Sequence, residues 1–151
     1  MESLSKGICF RLGSEQYLHP LSTVKEVLSY QESAPVPGSG AGVEGMIEVR
    51  ANMATVLYGS YLLDLDPEEC KDEGHIIVLD LPSGYFGIRV EGVEKVMDLP
   101  DSQTTQTLEY KESEFVQGTT QRDDELYILV DFSDYCKTLS WSIRCANIRR
   151  T

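Results

Sequence analysis

The residues that could carry chemistry are few and scattered: four cysteines (Cys9, Cys70, Cys136, Cys145) and two histidines (His19, His75). Cys70 and His75 are five apart with an acidic stretch between them. That is not a recurrent zinc spacing, and no second pair completes four ligands. The reading is an incidental loop cysteine beside a strand histidine, with no metal. Cys9 lies inside the alternating run Ile8–Leu12 and reads as packing, since free cysteine is among the most buried residue types. A Cys136 or Cys145 nucleophile served by a histidine is the enzymatic alternative, and such a thiol must have a depressed pKa. Gly38-Ser39-Gly40-Ala41-Gly42 lacks the Lys-Ser/Thr of a phosphate loop and is not a strand-to-helix junction with dinucleotide spacing, so it reads as a flexible connection. The segment Asp64–Gly74 carries six acids against Lys71 alone, without the spaced ligands and central glycine of a calcium loop. No pair of carboxylates has a spacing that argues hydrolysis. The expectation is a chain that is not an enzyme, takes no cofactor and acts through its surfaces.

The elements that must position such surfaces have a period of two. Strands are expected over Ile8–Leu12, Tyr17–Leu21, Val24–Leu28, Gly45–Arg50, Met53–Tyr58, His75–Leu81, Tyr85–Val90, Val93–Met97, Phe115–Thr119 and Leu126–Phe132. Turn formers at Gly13-Ser14-Glu15-Gln16, Pro82-Ser83-Gly84 and Arg122-Asp123-Asp124-Glu125 make hairpins of successive strands. About ten short strands in one flat sheet would curl or split, so the pattern argues an all-β barrel or sandwich. Loops are expected over Glu32–Gly42, Asp64–Gly74 and Asp98–Glu114. After a cap at Ser133, Tyr135, Leu139, Ile143 and Ala146 continue a helical spacing that begins at Phe132, and Arg144, Arg149 and Arg150 gather at the far end. This predicts a terminal amphipathic helix over 133–148.

Composition narrows the partners. The chain has 151 residues, 41% of them hydrophobic and 25% charged, which is ordinary for one globular domain. Lys and Arg number 13 against 25 Asp and Glu, for a formal net charge of −12. Such a surface repels phosphate backbones and anionic headgroups, so nucleic acid and the membrane surface are not expected partners. No apolar run approaches the roughly 20 residues of a membrane span. Met1–Lys6 lacks the regions of a signal peptide, and the expected location is the cytoplasm with reduced thiols.

The order of the motifs is more specific than any one of them. Phe10-Arg-Leu12-Gly-Ser-Glu-Gln-Tyr17 leads to Leu21, Val24, Glu26 and Val27. Pro35-Val36-Pro37 precedes Val43-Glu44-Gly45-Met46-Ile47-Glu48-Val49-Arg50-Ala51. Ile76–Leu79 is followed by Phe86-Gly87-Ile88-Arg89-Val90-Glu91-Gly92-Val93 and Val96, then by Val116-Gln-Gly118 and Leu126–Asp131. Over about residues 8–132 this resembles the CheW-like family, adaptors that couple chemoreceptors to the histidine kinase CheA. The resemblance implies two intertwined five-stranded SH3-like barrels, no catalysis and no cofactor. It implies as partners the kinase's regulatory domain and the receptor's cytoplasmic tip, and a place in the cytoplasm at receptor arrays. The alternative is a divergent CheW-like module of a pilus-type or other pathway that contacts one partner only.

Carried over by position, the resemblance makes Val24 and Glu26, Gly45 and Arg50, and Val93 the protein-binding candidates. Each has a plainer reading: Val24 and Val93 as core, Gly45 as room for close backbone packing, Glu26 as a solvated strand-edge charge. Arg50, between Val49 and Ala51 in an expected half-buried strand, should have a partner, support an interface or bond a loop carbonyl. The chain departs from the family pattern at Glu48 (usually Asn), Ala51 (Gly), Thr55 (Pro) and Tyr58-Gly59 (Asp-Leu). Ala51 lacks glycine's freedom at positive φ, so a differently shaped turn is expected after Arg50.

Overall fold

In the computed structural model the described residues are 5–40, 42–66, 74–99, 116–133 and 135–136. They form ten strands: β1 Lys6–Leu12, β2 Glu15–Pro20, β3 Val24–Ser29, β4 Val43–Val49, β5 Asn52–Tyr58, β6 His75–Leu81, β7 Gly84–Val90, β8 Gly92–Asp98, β9 Val116–Arg122 and β10 Glu125–Val130. One 3-10 turn (Leu21–Thr23) precedes β3, and one helical turn, α1 (Gly59–Leu62), follows β5. Each expected strand is present, β6 with the expected ends and no other end displaced by more than three residues. The terminal helix expected over 133–148 falls almost wholly outside the described residues; before them the Cys136 N–H donates to the Phe132 carbonyl at 3.0 Å.

The strands divide into two five-stranded sheets, ordered β8-β1-β2-β10-β9 and β3-β6-β7-β5-β4. The second is one continuous stretch of chain. The first joins strands from both ends of the sequence, through the parallel pairing of β2 with β10. The two halves are therefore interlaced: β1 and β2 complete their sheet only after the chain has built the other one.

Burial follows from side-chain alternation. One core lies between the sheets, with Ile8, Phe10, Leu12 and Tyr17 from one and Leu57, Ile77, Leu79, Phe86 and Ile88 from the other. Each sheet also covers a smaller core on its opposite side. Ile47, Val49, Ala54, Val56, Ile76 and Val78 make one, and Cys9, Leu18, Tyr127 and Leu129 make the other. Strand β6 serves two cores at once, odd residues facing one and even residues the other. That is why Ile76–Leu79 is a continuous apolar run instead of an alternating one.

The β3/β4 sheet curls until its two edge strands approach. Beyond β3 the chain returns to β4, and Ala34 and Met46 exchange both backbone hydrogen bonds at 2.8 Å. On the other sheet, side chains stitch β1 to β8: Lys6 pairs with Asp98, and Arg11 with Glu94.

Candidate functional site

Of the five candidate positions, the structure brings two into contact. Glu26 sits half-buried on β3, an edge strand. Arg50 occupies the two-residue turn between β4 and β5, from the opposite edge of the same sheet. Its Nε and Nη2 donate to the two carboxylate oxygens of Glu26 at 2.9 and 3.2 Å, a two-pronged pair across the seam where the sheet closes. The hydrogen bonds that Arg50 donates to Glu26, and then the charge of Glu26, raise the Arg50 pKa above its ordinary value. Two details differ from expectation. Arg50 is not in a half-buried strand, since its side chain is 71% exposed. Its partner is a carboxylate and not a loop carbonyl.

The turn itself corrects a second expectation. Arg50 and Ala51 both lie in the left-handed region, with φ of 49° and 70°. Ala51 thus adopts the backbone that its lack of glycine's freedom argued against. The two-residue loop that joins right-twisted strands demands positive φ at both positions, and pairing of β4 with β5 over Val43–Val49 outweighs the local strain. Asn52 helps by donating from its amide to the Arg50 carbonyl at 3.3 Å.

The other three candidates have plainer places. Gly45 is buried on β4, and a Cβ there would run into the Ala34 carbonyl and come within 2.6 Å of the Ser33 hydroxyl. The glycine is what lets residues 33–34 close the sheet. Val24 on β3 and Val93 on β8 are both partly buried against the core between the sheets, and Val93 belongs to the sheet that holds neither Glu26 nor Arg50.

Of the departures from the family pattern, Glu48 is exposed on β4 across from Met53, itself 53% exposed. Thr55 is buried on β5, Tyr58 ends that strand, and Gly59, which begins α1, lies so close to the Arg89 carbonyl that a Cβ would meet it at 2.5 Å.

Two polar groups that matter escaped the sequence reading. The first is Arg89, on β7 in the middle of an apolar run. Its guanidinium bonds Glu44 of β4 at 2.5 Å, and the two side chains are 6% and 11% exposed. The guanidinium carbon lies 4.2 Å from the centre of the Tyr30 ring and 5.7 Å from that of Tyr58. A charge inside a strand as apolar as Phe86–Val90 is the signal that could have found it, because such a charge must be paired. The second is His19, 1% exposed on β2, whose Nε2 accepts the Phe132 backbone N–H at 3.1 Å.

The thiols are the reverse of activated. Burial, and then the charge of Glu94, push Cys9 up to about 11, while burial followed by Asp131 pushes Cys136 up to about 12. At neutral pH both are thiols and not thiolates. Cys70 and Cys145 lie outside the described residues. Among the described residues no three His, Cys, Asp or Glu side chains converge to hold a metal ion. No helix among them is long and apolar enough to cross a membrane.

Comparison with known proteins places this geometry. The profile of one family, described as the CheW-like domain, matches residues 6–138. A chemotaxis protein CheW of Treponema pallidum (strain Nichols) is 24% identical over 131 residues, covering 82% of this chain and 77% of its own. A chemotaxis protein CheW of Rhizobium meliloti (strain 1021) is 24% identical over 127 residues, covering 82% of each chain. Among solved structures, the scaffolding protein TtCheW from Thermoanaerobacter tengcongensis superposes with a TM-score of 0.74 at 21% identity, over 86% of this chain and 92% of that one.

Proposed function

The chain belongs to the CheW-like domain family and is an adaptor of chemotaxis signalling; we propose that what it joins is the regulatory domain of a histidine kinase and the cytoplasmic tip of a chemoreceptor. The observation that carries this reading is that one family profile runs through both sheets, residues 6–138, and therefore includes the interlacing of the two halves.

An adaptor must hold two partners in a fixed relation, and the shared core suits that task. Ile8, Phe10 and Leu12 of one sheet pack with Leu57, Leu79 and Ile88 of the other, so turning one sheet against the other would expose apolar side chains to water. Large apolar residues stay exposed on both sheets: Met53 on one, Val96 and Leu126 on the other. Apolar anchors with a few charges to fix orientation are the usual composition of a docking surface.

Among the carried-over positions we assign partner contact to Arg50 and Glu26. They are charged, reach the surface, and lie where the chain accepts a strained turn to present one of them. Gly45 serves the site indirectly by letting the seam close. Val24 and Val93 line the rim of the core between the sheets.

The test is co-sedimentation of the purified chain with a receptor signalling tip and a kinase regulatory domain from the same cell, with Arg50→Ala beside it. The wild type is expected to bind both. The variant should lose about fivefold or more in affinity for one of them, with its thermal midpoint within about 2 °C of wild type. Binding to neither partner overturns the adaptor reading, binding to one alone reduces the chain to a single-partner module, and an unaffected Arg50→Ala removes that residue from the site.

A further inference from the structure

The hydrogen bonds around His19 fix its tautomer. Nδ1 lies 3.0 Å from the Pro20 carbonyl oxygen, which can only accept, so Nδ1 carries the proton. Nε2 lies 3.1 Å from the Phe132 backbone nitrogen, which can only donate, so Nε2 is bare. The ring is thus neutral and holds, from β2, the first residues after β10. Phe132 stacks on it with ring centres 5.5 Å apart and is itself buried against Phe10 in the core between the sheets.

A second acceptor is already in reach. Asp131 Oδ1 lies 3.6 Å from the same Nε2, and it also accepts the Ser133 N–H at 3.0 Å. Among the described residues Asp131 is the charge that acts on the ring, and across the ladder on β1 stands the apolar Ile8.

We propose that His19 is a proton-operated latch on residues 131–133, where the chain leaves β10. A proton added at Nε2 turns that nitrogen from acceptor to donor. The Phe132 N–H then faces an N–H and loses its bond, while the imidazolium turns its new N–H to the Asp131 carboxylate. One partner is exchanged for another on adjacent residues, so the Phe132 amide is held in one protonation state and let go in the other, while the hold on the chain passes to Asp131. Burial holds the His19 pKa below its ordinary value, with the Pro20 carbonyl and Asp131 opposing, so the latch is closed at neutral pH and opens on acidification.

The test follows hydrogen exchange at the Phe132 amide in the full chain, corrected for intrinsic chemistry, from about pH 7.5 to about pH 5. Protection in the wild type is expected to fall about tenfold or more while the β6 and β7 amides keep theirs. His19→Gln, which can accept but not titrate, should show no such fall, and Asp131→Asn should move it to lower pH. A wild-type profile that is flat, or one that His19→Gln shares, overturns the latch. If His19→Gln does not fold, the Nε2 chemical shift of the wild-type ring decides. Titration of the ring together with the Phe132 amide supports the proposal, and either one changing without the other overturns it.

Discussion

Separating Arg89 from Glu44 is expected to be among the most damaging single changes in this protein, and removing both far less so. The two side chains are 6% and 11% exposed and joined at 2.5 Å. Arg89→Met leaves a carboxylate without its cation in a site that water hardly reaches. Breaking a buried pair in this way costs about 3–5 kcal/mol. At roughly 2–4 °C per kcal/mol for a chain of this size, the thermal midpoint falls by about 6–20 °C. Glu44→Met strands the guanidinium instead. It should fall nearer the lower figure, since Arg89 keeps its place over the Tyr30 ring. In the double variant no charge is left to desolvate, and the Glu44 Oε1, which has no hydrogen-bond partner among the described residues, is gone as well. It should lie within about 2 kcal/mol of wild type. Calorimetry on the four proteins measures this cycle. Single variants within about 1 kcal/mol of wild type, or a double variant whose loss is the sum of the two, would refute the reasoning, since either is how exposed or independent charges behave.

Two further changes probe the seam that the candidate site spans. Ala51→Gly relieves a non-glycine residue at φ 70°; the relief of about 1–2 kcal/mol, less about 0.5–1 for the looser unfolded chain, leaves a net gain of up to about 1.5 kcal/mol and a thermal midpoint up to about 6 °C higher. A lower midpoint would mean that the turn carries no strain to release. Gly45→Ala drives a methyl group into the Ala34 carbonyl and should open the bridge between Ala34 and Met46. The lost hydrogen bonds and the overpacking together cost about 2–5 kcal/mol. Hydrogen exchange at those two amides reads this directly, and protection equal to wild type would show that the seam has room to spare.

The comparison of two turns explains what the sequence could and could not disclose. Asp123 and Asp124 take positive φ between β9 and β10, and aspartate tolerates that region, so the reversal was readable from composition. Arg50 and Ala51 make the same kind of loop from residues that avoid it, and so Arg50 was read as the end of a strand. Strand existence was legible throughout because alternation, or in β6 a short apolar run, is local. Strand neighbours were not legible from alternation: nothing in the period of β2 or β10 says that they run parallel side by side, and the family resemblance implied two intertwined barrels without naming that pair. The contact between Glu26 and Arg50 was hidden for the same reason, since it joins the two edges of a curled sheet. His19 and Arg89 were visible as residue types, but their roles depend on Phe132 and Glu44, which lie far away in the chain.

The interlaced topology decides how changes in the core should differ from changes at the surface. Phe10 belongs to a strand from the start of the chain, yet it packs against Phe132 from near its end and shares a core with Leu57 and Ile88 of the other sheet. A cavity at such a position loosens the register of both sheets at once, because packed interiors shift together. It should therefore weaken every interaction that requires the two sheets in fixed relation. Arg50 stands on one sheet, at the surface, with a single partner across the seam. Its loss changes one charge and one contact and leaves the shared core intact. An adaptor with two independent docking sites would show the second pattern at both sites and never the first. If core and surface changes gave the same selective loss, the two sheets would be acting as separate binding units, and the shared core would matter only for stability.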